Sequence, residues 1–182
     1  MIEQVKFTVM SVCVLLCLMM IPASSALSLE PPPGMAPEPQ RVAEIQVFKS
    51  ERRMELHDKY GNIIRSYRIA LGKNPVGHKQ FEGDNRTPEG RYMINGRNPS
   101  SIYHLSLRIN YPSAKDRAAA NKVGKSPGGD IFIHGMPNGR GWMWWKYNTK
   151  SDWTNGCIAV ADKDIREMWD LIDDETPITI RP

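Results

Sequence analysis

A histidine and a cysteine stand beside glycines at the ends of two apolar runs in this 182-residue chain. Residues 131–133 (Ile-Phe-Ile) lead into His134 and Gly135, and Gly156 precedes Cys157 and a second apolar run. A thiol becomes nucleophilic when a base removes its proton, and imidazole is the usual base. The pattern predicts a Cys157 nucleophile with His134 as its base. The alternative is that Cys157 is a small apolar residue of the core.

The residues around Cys157 predict a tight turn. Gly156 permits an unusual backbone conformation, so the thiol is expected to project from a sharp turn at the start of a strand. The N–H groups of Gly156 and Cys157 would then point at a developing oxyanion. The Thr154 hydroxyl is expected to hydrogen-bond this turn.

Other chemistries find little support in the sequence. The four histidines and the cysteines show no C-x-x-C or H-x-x-x-H spacing, which argues against a zinc site. No G-x-S-x-G motif offers a serine nucleophile, and no Gly-rich loop has phosphate-binding spacing. Without a Lys/Arg run or a basic helix carrying interleaved aromatics, we expect no nucleic-acid partner.

The N-terminus resembles a segment that is removed during export. Lys6 precedes an apolar run at 7–21 that is too short to span a bilayer, and Ala26 closes a stretch of small residues. We therefore predict a signal peptide at 1–26, with an uncleaved anchor as the alternative. Cleavage would leave Cys157 as the remaining thiol, which favours a functional role in an oxidising compartment.

The remaining chain predicts one catalytic domain behind a linker. Residues 27–41 hold five prolines and read as an extended linker, and the domain is expected at 42–182. The net charge of +4 suits anionic cell-wall polymers or lipid headgroups.

The domain has the pattern of a mainly β fold. Alternating apolar residues predict an antiparallel meander, then further strands and a closing strand. A short helix is expected at 113–122, and a second helix capped by Asp162, with Ile165, Met168, Trp169 and Ile172 on one face. The sum is a curled mixed sheet or small barrel with one or two short helices. The predicted strands are 43–48, 53–57, 63–71, 91–94, 105–109, 131–133, 158–160 and 177–180.

Two motifs resemble a known family. Residues 133–135 (Ile-His-Gly) and 154–157 (Thr-Asn-Gly-Cys) resemble the His-Gly and Ser/Thr-x-Gly-Cys signature of the YkuD-like L,D-transpeptidase catalytic domain. Residues 86–92 resemble its upstream Thr-Pro-x-Gly segment. The form Trp-Thr-x-Gly-Cys-Ile-Ala-Val looks like a distinct branch.

The resemblance implies a cell-envelope enzyme without a metal or organic cofactor. Cys157 would attack the carbonyl of the residue before a terminal D-Ala in a peptidoglycan stem peptide, usually diaminopimelate. The thioester would pass to an amine acceptor, which crosslinks the wall or attaches a protein. His134 would take the thiol proton and later protonate the leaving amine, and the Gly135 carbonyl would orient the imidazole.

The sequence departs from the family pattern at two places. Ala159 stands where many members carry an arginine, and the spacing from His134 to Cys157 is longer than usual. Arg140 and Arg108 are candidates to replace that arginine. Branches of this kind include hydrolases that cleave the link between diaminopimelate and an envelope lipoprotein.

The inserted loop at 136–153 is the expected place for substrate selection. It holds Trp142, Trp144, Trp145 and Trp153 with several bases, and it reads either as a lid over the peptide or as a satellite core. The residues expected to contact substrate are Thr87, Arg140, Trp142, Trp153, Thr154, Asn155 and Gly156. Three functions stay open: an exported, periplasmic transpeptidase, a hydrolase or amidase of the same bond type, and a non-catalytic envelope-binding module.

Overall fold

The computed structural model describes residues 41–143 and 145–182. Alternating apolar residues form its first strands. The predicted signal peptide, the linker up to residue 40 and Trp144 lie outside the described residues. The strands are β1 (Glu44–Phe48), β2 (Arg53–His57), β3 (Ile63–Arg68), β4 (Gly90–Asn98), β5 (Ser106–Ile109), β6 (Phe132–His134), β7 (Ile158–Ala159) and β8 (Pro177–Arg181). The helices are α1 (Ala114–Lys122), α2 (Asp162–Leu171) and a short 3₁₀ turn at Gly141–Met143.

The eight strands form one mixed sheet in the order β3-β2-β1-β8-β4-β5-β6-β7. The pairs β1–β8 and β6–β7 are parallel, and the other neighbours are antiparallel. Beyond β3, the chain reaches the opposite edge: Ala70 and Ala159 exchange two backbone hydrogen bonds of 2.8 Å. The two ends of the strand order thus meet, so the sheet is curled. The predicted mainly β fold with a curled mixed sheet and two helices is confirmed.

The core joins apolar side chains of the sheet to those of α2. Helix α2 packs on β6 and presents Ile165 and Met168, both fully buried, followed by Ile172. Fully burying such a side chain stabilises the fold by about 1.5–3 kcal/mol. The other side chains with no exposed surface include Ile45, Val47, Met54, Leu56, Ile69, Leu71, Ile94, Leu107, Ile109, Ile133, Ile158 and Ile178. Within residues 41–143 and 145–182, no helix is long and apolar enough to cross a bilayer.

Several predicted element details are wrong. Strand β3 ends at Arg68, and Ile63 is 56% exposed while its neighbour Ile64 is buried, because the β2–β3 register shifts between Leu56 and His57. Strand β4 extends beyond the predicted 91–94 to Asn98.

Asp162 is not the cap of α2. Ala161 occupies the N-cap position without a side-chain hydrogen bond, and Asp162 is the first helical residue. Its carboxylate accepts a 2.7 Å hydrogen bond from the N–H of Met136 instead. The residue therefore joins the start of α2 to the segment that follows β6.

Candidate active site

Cys157 follows a turn that its neighbours hold closed. Gly156 has φ of +136°, and a Cβ there would lie 2.8 Å from the carbonyl oxygen of Arg86, so both conformation and space favour glycine. The Thr154 hydroxyl donates to the Cys157 carbonyl at 2.7 Å and accepts from the Gly156 N–H at 3.1 Å. The Gly156 N–H is thus already bonded in the resting structure, and its expected oxyanion role stays a prediction. The N–H of Cys157 is the candidate from this turn.

The Cys157 thiol is partly exposed and rests on the backbone before β6. Its Sγ donates to the carbonyl oxygen of Asp130 over 3.5 Å. Burial raises the pKa of this thiol, and the charge of Asp130 adds to the rise, while the Phe132 backbone and Lys79 oppose it. The resting thiol is therefore protonated near neutral pH, and it needs a base to become a nucleophile.

His134 is held in the form that a base requires. Its side chain is buried, and Nδ1 lies 2.7 Å from the carbonyl oxygen of Gly135. A carbonyl only accepts, so Nδ1 carries the proton and Nε2 keeps its lone pair. Burial lowers the pKa of His134 to about 4, although the bond to Gly135 opposes this shift. The imidazole is therefore neutral near neutral pH.

Strands β6 and β7, which flank the candidate site, pair in parallel. His134 lies opposite Ala159, and Ile133 lies opposite Ile158 in the core. Cys157 directly precedes β7, so this pairing sets its position beside the strand that carries His134. The resting thiol bonds to Asp130, and catalytic hydrogen bonds often tighten only when substrate binds.

Gly135 is confined by the chain around the histidine. Its N–H donates to the carbonyl of Tyr103 at 3.0 Å, and a Cβ would lie 2.6 Å from Oδ1 of Asp162. The tight packing keeps the Gly135 carbonyl against the imidazole, where it lies 2.7 Å from Nδ1.

Aromatic rings enclose the imidazole. The Tyr103 ring lies 4.4 Å from the His134 ring, and the Trp153 ring lies 5.7 Å away at 63°. The Trp153 indole donates to the carbonyl of Asn148 at 3.0 Å, and Tyr147 packs edge-on against it. Tyr103 was not predicted, because it lies in an irregular segment with no periodic pattern.

The loop at 136–153 has a packed base and an exposed tip. Trp153 packs beside His134, whereas Trp142 and Trp145 are 66% and 56% exposed and contact each other edge-on. Trp153 therefore packs as part of a satellite core, whereas Trp142 and Trp145 at the tip of the loop do not. Arg140 is exposed and lines a cavity of about 470 Å³ with Tyr103.

A separate cavity of about 440 Å³ opens beside Cys157. It is lined by Lys79, Glu82, Gly83, Asn85, Gly128, Gly129, Asp130, Ile131, Asn155 and Cys157. Asn155 accepts from Lys73 Nζ at 3.1 Å, and Arg108 Nη2 lies 3.6 Å from the Asp130 carboxylate. Of the two arginines proposed to replace the one absent at Ala159, Arg108 is the one beside a lining residue of this cavity. Ala159 itself is fully buried.

Thr87 has no exposed surface to offer a substrate. Its hydroxyl accepts a 3.1 Å hydrogen bond from the Gly72 N–H, so its contact is with the chain that follows β3. Lys49, just after β1, hydrogen-bonds to the same region. Its ammonium donates to the carbonyls of Gly77 and Thr87 and to Glu89, at 2.6, 3.0 and 2.8 Å. These bonds support the segment at 72–90, which forms one wall of the Cys157 cavity.

Two further features lie apart from the thiol. A larger cavity of about 870 Å³ is lined by residues of β1, β4, β8 and the turn at 58–61, and neither Cys157 nor His134 borders it. In the described part of the chain, no three His, Cys, Asp or Glu side chains form a group that could hold a metal ion.

Residues 43–180 match the family model YkuD, the L,D-transpeptidase catalytic domain. YafK of Escherichia coli (strain K12), whose name assigns it provisionally to the L,D-transpeptidases, is 31% identical over 134 residues, covering 70% of this chain and 46% of YafK. The chain thus spans about half the length of the curated relatives it matches.

Solved structures show the same fold. The helical cell shape determining protein Pgp2 of Campylobacter jejuni superposes with a TM-score of 0.60 at 25% identity, over 77% of this chain and 47% of Pgp2. Bd1075 of Bdellovibrio bacteriovorus gives 0.54 at 28% identity, over 78% and 48%. The family model covers most of the described residues, including the histidine, the cysteine and the turn between them. The chain therefore belongs to the YkuD family of L,D-transpeptidase catalytic domains.

Proposed function

We propose that this protein is an exported cysteine acyltransferase of peptidoglycan stem peptides, with Cys157 as nucleophile and His134 as base. The parallel pairing of β6 and β7 carries the proposal, because the strand that holds the neutral imidazole pairs with the strand that the free thiol directly precedes. The Nδ1 bond to Gly135 supports it further by leaving Nε2 as the acceptor.

Acylation follows from the resting protonation states. Nε2 of His134 takes the thiol proton while Sγ of Cys157 attacks the carbonyl carbon of the residue before the terminal D-Ala. Because burial disfavours both the thiolate and the imidazolium, proton transfer is expected to accompany C–S bond formation. The Cys157 N–H donates to the oxyanion. The C–N bond then breaks, the imidazolium protonates the leaving amine, and D-Ala departs.

Deacylation restores the neutral pair. An acceptor amine loses a proton to His134 and attacks the thioester carbonyl, which forms an amide and releases the sulfur, and the imidazolium returns its proton to Cys157. The product is a wall crosslink or an attached protein. This transfer reaction is the primary proposal.

Hydrolysis is the second candidate, and the exposure of the Cys157 cavity favours it. The Asp130 side chain on its wall is 81% exposed. The described part of the loop at 136–153 packs by His134 and Tyr103, and the residues that line the cavity come from other segments. Water can therefore compete with an amine for the thioester. On stem peptides linked to an envelope lipoprotein, the same chemistry would release that protein.

Substrate contacts are assigned by position. We expect Asn155 to contact the donor peptide in the Cys157 cavity, and Trp153 to cover the reacting atoms from the histidine side. Trp142 and Arg140 are proposed to contact the more distant part of the substrate. Thr154 and Gly156 act by holding the turn, and Thr87 acts by supporting residue 72.

The cellular setting remains part of the proposal. We infer a signal peptide at 1–26, a linker at 27–41 and a catalytic domain at 42–182, which places the enzyme in the periplasm. Pgp2 is named for helical cell shape, and we extend to this chain a role in wall structure.

Product analysis separates these functions. The purified chain is incubated with disaccharide-tetrapeptide, and separately with sacculi that carry covalently bound lipoprotein. Dimeric muropeptides support transfer, whereas tripeptides or released lipoprotein without dimers support hydrolysis. Cys157→Ala is expected to abolish every product. If neither substrate changes, the chain is a binding module and the catalytic proposal is wrong.

A further inference from the structure

A buried lysine borders the cavity that contains Cys157. The Lys79 side chain is 4% exposed and lines the cavity together with Cys157. Its ammonium donates to Asp84 Oδ1 at 2.8 Å and to the carbonyl of Phe81 at 3.1 Å. These bonds use two of the three donors of an ammonium group. The remaining donor gives Lys79 the capacity to interact with charge in the cavity.

Asp84 holds this lysine in place. Its carboxylate also accepts from the N–H groups of Gln80, Phe81 and Arg86, at 2.7, 3.3 and 3.0 Å. Burial alone would raise the pKa of Asp84, but the bonds from Lys79 and from the backbone outweigh burial and lower it. Asp84 is therefore ionised at neutral pH, and it offsets part of the lysine charge.

The other charges around the thiol are mixed in sign. Among the lining residues, Glu82 and Asp130 are acidic, and Arg108 offsets Asp130 from 3.6 Å. Lys73 is exposed and bonded to Asn155. His134 on β6 is neutral in the resting state. Lys79 is thus the buried cation on the cavity wall, and a buried charge acts more strongly than an exposed one because water screens it less.

We propose that Lys79, on the wall of the cavity that contains Cys157, supplies the positive charge that stabilises the Cys157 thiolate. The inference rests on the proposed function, since it concerns the same nucleophile. Asp84 sets the size of the effect, because it shares the lysine charge. The electrostatic influence of Lys79 on the thiol agrees with this assignment.

The test measures alkylation of Cys157 by iodoacetamide at about pH 8, scored by mass on the peptide that contains Cys157. Below its pKa, the rate follows the thiolate fraction. Lys79→Gln is expected to slow alkylation about three- to tenfold, as a rise of about half to one pKa unit requires. Asp84→Asn is expected to speed it, because the lysine charge is no longer offset. Lys79→Arg keeps the cation and should stay within about twofold of wild type.

Opposite directions are the decisive feature. Both Lys79→Gln and Asp84→Asn break the ion pair between Lys79 and Asp84. If Lys79 had only a structural role, both substitutions would change the alkylation rate in the same direction, and that result would overturn the proposal. An unchanged rate in Lys79→Gln would do so as well. Lys125 is exposed and lies over the Phe81 ring at 3.6 Å, so Lys125→Gln removes a nearby cation outside the cavity. An equal slowing in that control would contradict a specific role for Lys79.

This measurement does not depend on turnover of peptidoglycan. If wild type turns over no stem peptide while the alkylation rates shift as expected, the proposed function fails and the Lys79 inference stands. If turnover occurs without those shifts, the proposed function stands and the Lys79 inference fails. Thermal unfolding of Lys79→Gln, Lys79→Arg and Asp84→Asn shows whether the compared proteins are folded.

Discussion

Cys157 and His134 rest as a neutral pair. Burial raises the pKa of the thiol and lowers the pKa of the imidazole to about 4, so an ion pair is disfavoured before substrate binds. The Nδ1 bond to Gly135 fixes the tautomer, which leaves Nε2 to accept a proton. Activation of the thiol is therefore expected to occur together with attack on the substrate, rather than in the free enzyme.

The buried imidazole predicts a specific loss of stability in acid. Its pKa is about 4 in the folded chain against 6.5 for the ordinary group. As the pH falls below 6.5, the unfolded chain binds the proton first, so the free energy of unfolding falls until the folded chain is also protonated near pH 4. Between about pH 7.5 and pH 5, this residue should cost the fold about 2 kcal/mol.

Urea unfolding of wild type and His134→Asn at both pH values checks this expectation. The asparagine amide can donate to the Gly135 carbonyl as Nδ1 does, but it does not titrate. The variant should lose about 2 kcal/mol less than wild type over that interval, because the other acid-titrating groups are shared. Equal losses in the two proteins would show that His134 is not buried in its neutral form.

At the scale of elements, Lys49 connects the end of β1 to the segment that walls the cavity. Its ammonium has three acceptors, and burial lowers its pKa although Glu89 opposes the shift. Lys49→Met leaves those acceptors without their donor, and we expect it to reduce the free energy of unfolding by about 3 kcal/mol. Lys115→Met, on the exposed side of α1, serves as the matched control and should change it by less than about 0.5 kcal/mol.

Denaturant titration of both variants measures the two costs. A cost below about 1 kcal/mol for Lys49→Met would mean that water replaces the ammonium, and that Lys49 does not support the segment.

The sequence predicts the elements best where a period is sustained. The alternation through Ile45 and Val47 predicts β1, and the helical spacing of Ile165, Met168 and Ile172 predicts α2. The predicted burial of Ile63 on β3 is wrong, because a register shift depends on how two strands pair and cannot be inferred from the sequence of one strand.

The site was predictable only in its local parts. Gly135 and Gly156 mark the positions where the chain is too crowded for a side chain, and the motifs contain both. Tyr103 and Lys79 come from irregular segments far along the chain from Cys157, and their places depend on the closed sheet. The predicted capping role of Asp162 is wrong because a carboxylate at a helix start can equally accept a hydrogen bond from another segment, here from the Met136 N–H.

For the molecule as a whole, curling of the sheet is what assembles the site. Residues after β3 bond to Ala159 and Thr154, at the opposite end of the strand order, and so bring the segment at 72–90 to the Cys157 turn. Cys157, His134 and the cavity wall thus come from three distant stretches of chain. A covalent acyl-enzyme is the product that this assembly should form.

Intact-protein mass spectrometry of the purified chain, quenched in acid soon after mixing with disaccharide-tetrapeptide, tests this claim most directly. The account predicts an adduct equal to the substrate minus D-Ala, located on the peptide containing Cys157 and absent in Cys157→Ala. His134→Asn should form it more slowly by about a hundredfold or more. Release of D-Ala by Cys157→Ala, or an adduct on another residue, would contradict the account.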